Sequence, residues 1–388
     1  MSAPTRIAIL AHSTNPRGGV VHAMQLAEAL CDIGAEATLI APDAEGSGFF
    51  RNPNCPSLAI PARREPDVAG MVRRRIAEIG RFLASGAAER FDLFHAQDPI
   101  SANALADLVA AGRLRGFART VHHLDRFTDR RLACWQQRGL AAARRVAVVS
   151  RLWQQRLARE HGIDATLVGN GVDAQRFSPQ PDGREAVLRG HLGLAAGDGP
   201  VVLALGGIEA RKNTRGLLQA FRLLAQDHPR ARLVIAGGAT LLDHGAYRRS
   251  FHDTLAGCGL ASRVTLAGVI ADADMPALYR LADLVACVSL EEGFGLCAIE
   301  AMASGRPVVV SDIAPFTEHL QRSWVAWADP RDPDATGAAM ANALRPEIAA
   351  RLGAAGPGHA RGFGWRDVAR AHLPFYAALA PRMELSLA

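Results

Sequence analysis

The segment Ser289-Leu-Glu-Glu-Gly-Phe-Gly-Leu-Cys-Ala-Ile-Glu-Ala-Met-Ala-Ser-Gly-Arg-Pro307 sets two carboxylates, Glu292 and Glu300, on either side of a glycine-bearing turn. An apolar run ends near Ser289 and a helix-like run follows the turn, so the chain passes here from strand to helix. The first amides of a helix have no intrahelical partner and carry partial positive charge, which makes them a seat for a diphosphate. Gly293 and Gly295 let such a ligand approach the backbone closely, with Phe294 and Leu296 beside it. Glu292 would then lie next to the diphosphate and Glu300 one to two turns along the helix. Carboxylates accept hydrogen bonds from hydroxyls, so the two would hold different hydroxylated parts of one ligand.

A second segment, Leu205-Gly-Gly-Ile-Glu-Ala-Arg-Lys-Asn213, also follows a strand-like run. Among 44 lysines and arginines, Lys212 is the one lysine. A planar guanidinium and a compact ammonium are not interchangeable at a tight phosphate site, so this position suggests a place where the small cation fits; chance survival is the bland reading. The segment lacks the G-x-x-x-x-G-K-[ST] pattern of a P-loop. Three further places carry polar chemistry beyond a strand end: Gly18-Gly19, His95 with Asp98, and Thr120-Val-His-His123.

These residues need a scaffold that brings strand ends together. Strand-like runs at Arg6–Ala11, Ala37–Ala41, Leu93–His95, Ala118–Val121 and Val146–Ser150 alternate with helical patterns, the signature of βαβ units. The pattern restarts with Val201–Leu205, Leu233–Ala236, Val264–Leu266, Leu284–Val288 and Val308–Val310, interleaved with helices near Arg215–Gln226, Tyr247–Ala256, Met275–Leu281 and Ala298–Ala303. The expected fold is α/β, with two Rossmann-like doubly wound parallel-sheet domains facing across a cleft; 388 residues exceed what one core supports. The run Phe177–Gly183, with two prolines and a glycine, reads as the linker. The domains are thus placed at 1–176 and 177–358, with a helical segment at 359–388.

With Glu292 and Glu300 in an E-x7-E arrangement inside E-G-F-G-L-x-x-x-E-A-M-A-x-G-x-P-V-V, the chain resembles the family-4 retaining glycosyltransferases of GT-B fold. The resemblance implies that Glu292 contacts the transferred sugar, that Glu300 contacts the ribose of the nucleotide, and that Lys212 neutralises the donor diphosphate. In the family an arginine normally precedes that lysine by five positions; Gly207 stands there, and Arg211 is the candidate replacement. Cys297 occupies a position where the family often has proline. His122, in the segment similar to the family's T-x-H, is implied to face the sugar near the reacting carbon, with His123 the competing candidate. The resemblance makes 1–176 the acceptor side, with His95, Asp98 and His123 expected on it, 177–358 the nucleotide-sugar side, and 359–388 a helical segment crossing back to the first domain. Gly18 and Gly19 resemble the glycine turn near the donor phosphate, although Arg17 stands where a glycine is common. Asn170-Gly-Val-Asp173, Gly268, Tyr279 and Phe363-Gly-Trp365 extend the resemblance along the chain. His122, Lys212 and Glu292 are therefore the expected catalytic residues, and Gly268 and Arg211 join the donor site.

The implied reaction moves a hexosyl unit from a UDP- or GDP-sugar to a hydroxyl acceptor with retention, by front-face attack in which the departing phosphate takes the acceptor's proton. It needs no enzyme nucleophile, cofactor or metal, because cations and helix amides can stabilise the leaving diphosphate. Glycosidase chemistry would ask two carboxylates to flank the scissile bond instead of gripping a donor. A sugar-nucleotide 2-epimerase shares the fold but is disfavoured by the E-x7-E segment; a nicotinamide dehydrogenase would need a G-x-G-x-x-G that His12–Val20 lacks. A silent nucleotide-sugar-binding or scaffold protein draws its support from Gly207.

The net charge of +6 comes almost wholly from arginine. Arg63–Arg81, containing Arg73-Arg-Arg75, would suit an anionic or membrane-borne acceptor and peripheral contact at the inner membrane face, or else is a solvated surface. No nucleic-acid-binding motif accompanies the charge. Apolar tracts are too short to span a bilayer and no leader precedes Arg6, which points to the cytoplasm. Six scattered cysteines without a CxxC pair read as buried free thiols.

Overall fold

The computed structural model describes residues 5–238 and 244–379. The chain divides into two compact units, Met1–Gly171 with Trp365–Ala388, and Val172–Gly364. The first contains β1 (Arg6–Leu10), α1 (Gly18–Asp32), β2 (Glu36–Asp43), β3 (Ser57–Pro61), α2 (Val68–Ala84), β4 (Leu93–Ala96) and α3 (Pro99–Ala110). It continues through β5 (Ala118–Val121), α4 (Arg130–Ala141), β6 (Arg145–Val148), α5 (Arg151–His161) and β7 (Thr166–Leu167). Its strands form one parallel sheet in the order β3-β2-β1-β4-β5-β6-β7. Crossover helices cover both faces of such a sheet, so the central strands are buried on each side and read as continuous apolar runs.

The second unit runs through α6 (Arg184–His191), β8 (Val201–Leu205), α7 (Thr214–Asp227), β9 (Arg232–Ala236), α8 (Gly245–Gly257), β10 (Val264–Gly268) and α9 (Met275–Leu281). It goes on with β11 (Leu284–Cys287), α10 (Leu296–Ala303), β12 (Val308–Ser311), α11 (Phe316–His319), β13 (Ala326–Ala328), α12 (Pro333–Ala343) and α13 (Pro346–Ala360). The sheet order is β10-β9-β8-β11-β12-β13, again parallel. This order reverses direction beside its first strand, the arrangement that places ligands beyond the strands' carboxyl ends. Both units are therefore Rossmann-like, as expected.

The chain leaves the first unit at Gly171 and not at residue 176, because the Val172 amide donates to the Phe363 carbonyl at 2.8 Å and pairs Val172 with Gly364. It returns at Trp365 instead of 359 and forms α14 (Trp365–Ala377), whose Val368, Ala369, Phe375 and Tyr376 join the apolar core under α1. Residues 380–388 of the segment placed at 359–388 lie outside the described residues. Three strands absent from the sequence reading, β3, β7 and β13, all close sheet edges. One neighbour is enough there, so they carry no long apolar run.

The arginine-rich helix α2 is less basic in space than in sequence. Arg75 is buried against Glu78, Arg74 pairs with Glu65, and Arg64, just before the helix, pairs with Glu45. Among the described residues no helix is long and apolar enough to cross a membrane.

Candidate active site

In the second unit, β8 delivers Gly206 and Gly207 to a turn whose backbone strains any side chain. Gly207 has φ +72°, and a Cβ there would lie 3.2 Å from the carbonyl oxygens of Gly237 and Gly238. At Gly206 (φ +108°) a Cβ would lie 2.7 Å from Cε of Lys212. The bare backbone thus lets the Lys212 stem lie across the strand end on its way to Glu292. The position of the family's usual arginine is here a left-handed glycine.

The neighbouring strand β11 ends in the loop 288–295, which the Leu290 amide ties to the Arg211 carbonyl at 2.8 Å. Lys212 Nζ stands 2.7 Å from Glu292 Oε2, which also accepts from Ser289 Oγ at 3.2 Å. Arg211 donates to Glu292 Oε1 at 3.3 Å, and the Gly293 amide to the same oxygen at 3.0 Å. Arg211 lies 3.4 Å from the buried Glu209 as well. Burial opposes ionisation of Glu292, but Lys212 and Arg211 outweigh it and hold the carboxyl at about 2, against an ordinary 4.5. For Lys212, burial pulls the ammonium down, and Glu292 more than compensates, so its affinity for the proton rises. Four donors occupy the four lone-pair directions of Glu292.

The loop then enters α10 through Gly295, at φ +91°, where a Cβ would lie 2.2 Å from the Phe316 ring. Leu296 opens the helix, and Glu300 faces α9, where the buried Tyr279 donates to Glu300 Oε2 at 2.5 Å. Burial and then the Glu300 charge push the Tyr279 phenol well above its ordinary range, keeping it a donor. Phe294 is turned inward, stacked on His319 at 4.4 Å, so its backbone and not its ring borders the loop surface. Gly268, at φ +64°, ends β10 in a bulge, and its carbonyl accepts from the Gly237 amide at 2.7 Å.

In the first unit, Gly18 and Gly19 form the first turn of α1, behind the N-cap residue Arg17, whose side chain does not cap the helix amides. His122 lies against this turn: a Cβ on Gly19 would be 3.7 Å from His122 Cδ2. Its Nε2 is buried without a hydrogen-bond partner, and burial, then His123, lowers its pKa to about 3. The ring is a neutral imidazole at physiological pH. It stands edge-on to His22 at 4.5 Å, and His22 Nδ1 is 3.0 Å from Asn170 Oδ1.

The three acceptor-side expectations fare differently. His95 is wholly buried, with Nδ1 2.8 Å from Tyr376 Oη and Nε2 2.8 Å from Thr120 Oγ1, so it is a core residue that fastens α14 to the sheet. A strand-end position does not say which way a ring points. Asp98 caps α3, accepting from the Ile100 and Ser101 amides. His123 is exposed, 3.3 Å from Asp125. Sequence reasoning had assigned no site role to Ser289, His22 or Asn170 and treated Tyr279 as a family landmark; for Tyr279 the family pattern was the available signal.

Among the described residues no group of three or more His, Cys, Asp or Glu side chains is arranged to hold a metal ion.

Two parallel-sheet units, one carrying paired cations, a carboxylate and a glycine loop at a helix start, define a GT-B type α/β protein. The family model described as Glycosyl transferases group 1 matches residues 193–357, and that described as Glycosyltransferase Family 4 matches residues 16–176. The chain belongs to the family-4 glycosyltransferases. It is 34% identical over 209 residues to the mannosylfructose-phosphate synthase of Agrobacterium fabrum, a match covering 53% of this chain and 45% of that protein. Similarity to the D-inositol 3-phosphate glycosyltransferase of Xylanimonas cellulosilytica runs at 29% identity over 97% of both chains. The chain thus spans less than half of the first relative and nearly all of the second. Among solved structures, the sucrose-phosphate synthase of Thermosynechococcus elongatus shares the fold at TM-score 0.75 with 22% identity, covering 97% of this chain and 99% of that one. Anabaena HepE in complex with UDP-glucose does so at TM-score 0.75 with 19% identity, covering 96% and 99%.

Proposed function

We propose that this protein is a retaining glycosyltransferase that moves a hexosyl unit from a UDP- or GDP-sugar to a hydroxyl of an anionic acceptor, without a metal. The observation that carries this reading is the convergence of Lys212 and Arg211 on Glu292 at the start of α10, with Glu300 on that helix. As the glycosidic bond breaks, negative charge develops on the departing diphosphate, and preorganised cations and helix amides stabilise it. A diphosphate here competes with Glu292 for Lys212, freeing a carboxylate oxygen to accept from the sugar. Glu300, held by Tyr279, accepts from the ribose.

His122 serves as a neutral hydrogen-bonding group facing the sugar and not as a general acid, since burial keeps it unprotonated. The acceptor's proton then leaves with the diphosphate. An anionic acceptor is supported by the names of two relatives, a mannosylfructose-phosphate synthase and a D-inositol 3-phosphate glycosyltransferase. The internal pairing of the α2 arginines favours such a small acceptor over a membrane-borne one.

Thermal stabilisation by UDP, GDP, ADP and TDP, with and without magnesium, tests the donor site. Ligand at 100 times its dissociation constant adds ~2.7 kcal/mol. The expected result is a shift with one nucleotide that survives chelation and vanishes in Lys212→Ala and Glu300→Ala. A silent binding protein, the reading Gly207 favours, would show that shift yet neither hydrolyse nor transfer the sugar. The anomeric configuration of the product by NMR decides retention.

A further inference from the structure

The donor loop is bracketed by two thiols. Cys287 is the last residue of β11 and Cys297 the second of α10, and their Sγ atoms are 3.1 Å apart. Cys287 is buried, while Cys297 is partly exposed. Residues 288–296 between them include Ser289, Glu292 and Gly293, which make the contacts to Lys212 and within the loop described above. In sequence the two are ten apart and form no CxxC, so nothing in their spacing announces the pair.

We propose that Cys287 and Cys297 form a peroxide-oxidisable dithiol whose closure to a disulfide weakens nucleotide binding at the adjoining loop; the second half rests on the donor reading above. The chemistry is suited to the two positions. Cys297 lies in the first turn of an eight-residue helix, and the hydrogen bond that either thiol can donate to the other, with Lys212 nearby and against the opposing effect of burial, lowers its pKa. It is also the more exposed of the two and is reached first by peroxide. Cys297 is therefore the attacking thiolate and the buried Cys287 the resolving thiol.

Hydrogen peroxide is the oxidant. The Cys297 thiolate, its proton already lost to solvent, attacks one peroxide oxygen; the O–O bond breaks, and the departing hydroxide takes the Cys287 proton to become water. Cys297 is left as a sulfenic acid. The Cys287 thiolate then attacks the Cys297 sulfur, the S–O bond breaks, and hydroxide leaves to take a proton from solvent. Two thiols and one peroxide give one disulfide and two waters, each sulfur losing one electron.

A disulfide holds its sulfurs about 2.05 Å apart, so closure brings the two Sγ atoms together by roughly 1 Å and crosslinks the end of β11 to the start of α10. That constraint falls on the loop that presents Glu292 to Lys212. Misplacement on this scale can cost a reaction ~100-fold, and for ground-state nucleotide binding we expect a loss on the order of tenfold.

The experiment treats the full chain with equimolar hydrogen peroxide, maps thiols by alkylation and peptide mass, and titrates UDP and GDP before oxidation, after it and after dithiothreitol. The expected result is a Cys287–Cys297 linkage and a reversible loss of affinity. Cys297→Ala should bind nucleotide like the reduced wild type and show no response to peroxide; Cys287→Ala should stop at an unresolved Cys297 sulfenic acid, trapped by dimedone. Cys297 advancing to sulfinic acid while Cys287 stays alkylatable would overturn the dithiol. A linkage with unchanged affinity would overturn the coupling. Reduced protein binding neither nucleotide would instead sink the donor reading, and the coupling with it, while the mass data still decide the linkage.

Discussion

Lys212 and Glu292 are each mostly buried and face one another at 2.7 Å, so neither is neutral to remove alone. Leaving one charge of a buried pair unpartnered costs ~3–5 kcal/mol, whereas removing both is far milder; Arg211 moderates the loss by also contacting Glu292. Lys212→Met should therefore lower unfolding free energy by about 2–4 kcal/mol in urea, and Lys212→Met with Glu292→Gln should recover more than half. Additive effects would mean that the pair is not coupled. Tyr279 is a positioning residue: its hydroxyl fixes one oxygen of Glu300. Tyr279→Phe should weaken the preferred ribonucleoside diphosphate about three- to tenfold, a hydrogen bond to a charged group being worth ~1.5–3 kcal/mol at most. It should leave the 2′,3′-dideoxy analogue unaffected. Equal weakening of both would make the tyrosine a packing residue. Lys212, Glu292 and Glu300 stand out in the sequence as candidates because residue type and short-range spacing mark them, whereas the pairing of Lys212 with Glu292, 80 residues apart, is not in the local pattern. Tyr279 on Glu300 and His22 on Asn170 join residues 21 and 148 apart, contacts that the fold creates and local pattern does not contain.

At the scale of elements, the alternation of apolar runs and helical stretches made the central strands of both sheets readable, and the edge strands β3, β7 and β13 escaped because half-covered strands need no unbroken apolar run. Orientation was the other gap: His95 ends a strand much as a ligand-facing residue would, yet it points into the core toward Tyr376. The turn after β8 shows how an element can decide a residue's identity. Gly207 looks like a lost arginine when read along the sequence, but its φ of +72° is one that L side chains rarely adopt, and a Cβ there would crowd two carbonyl oxygens at 3.2 Å, so an arginine would be strained. Gly207→Arg should consequently lower stability by roughly 1–3 kcal/mol and fail to tighten nucleotide binding, as thermal melts and nucleotide titration would show. Tighter binding at unchanged stability would mean that the backbone adapts and that the missing cation had been the weakness.

Across the whole molecule, the described histidines are unevenly spread in a way that should make the two units respond differently to acid. His22, His95 and His372, all buried, and the half-buried His122, whose Nε2 is enclosed, lie in the first unit around the junction of α1, the sheet and α14. Burial lowers all four, His122 to about 3 and His372 to about 4, against an ordinary 6.5. In the second unit His319 is lowered to about 4 by burial, and Glu292 is held at about 2 by its cations against the pull of burial. The signs follow from where protons bind. As pH falls below 6.5 the unfolded chain protonates its histidines while the folded chain does not, so stability drops until the folded groups titrate near 4 and below. By pH 5 each such histidine costs about 2 kcal/mol, less wherever water reaches the ring. Glu292 acts lower: its contribution is intact above 4.5 and fades as pH falls toward 2. Between pH 6.5 and 5 the first unit should thus lose several times more protection than the second. Hydrogen exchange of the intact protein, read peptide by peptide at pH 7 and pH 5 after correction for intrinsic rates, measures this directly. Peptides from β1, α1, β4 and α14 should lose protection while β8, β11 and α10 hold theirs. Parallel loss in both sets would mean that the buried histidines are solvated or already charged, and a neutral His122 facing the sugar would fall with them.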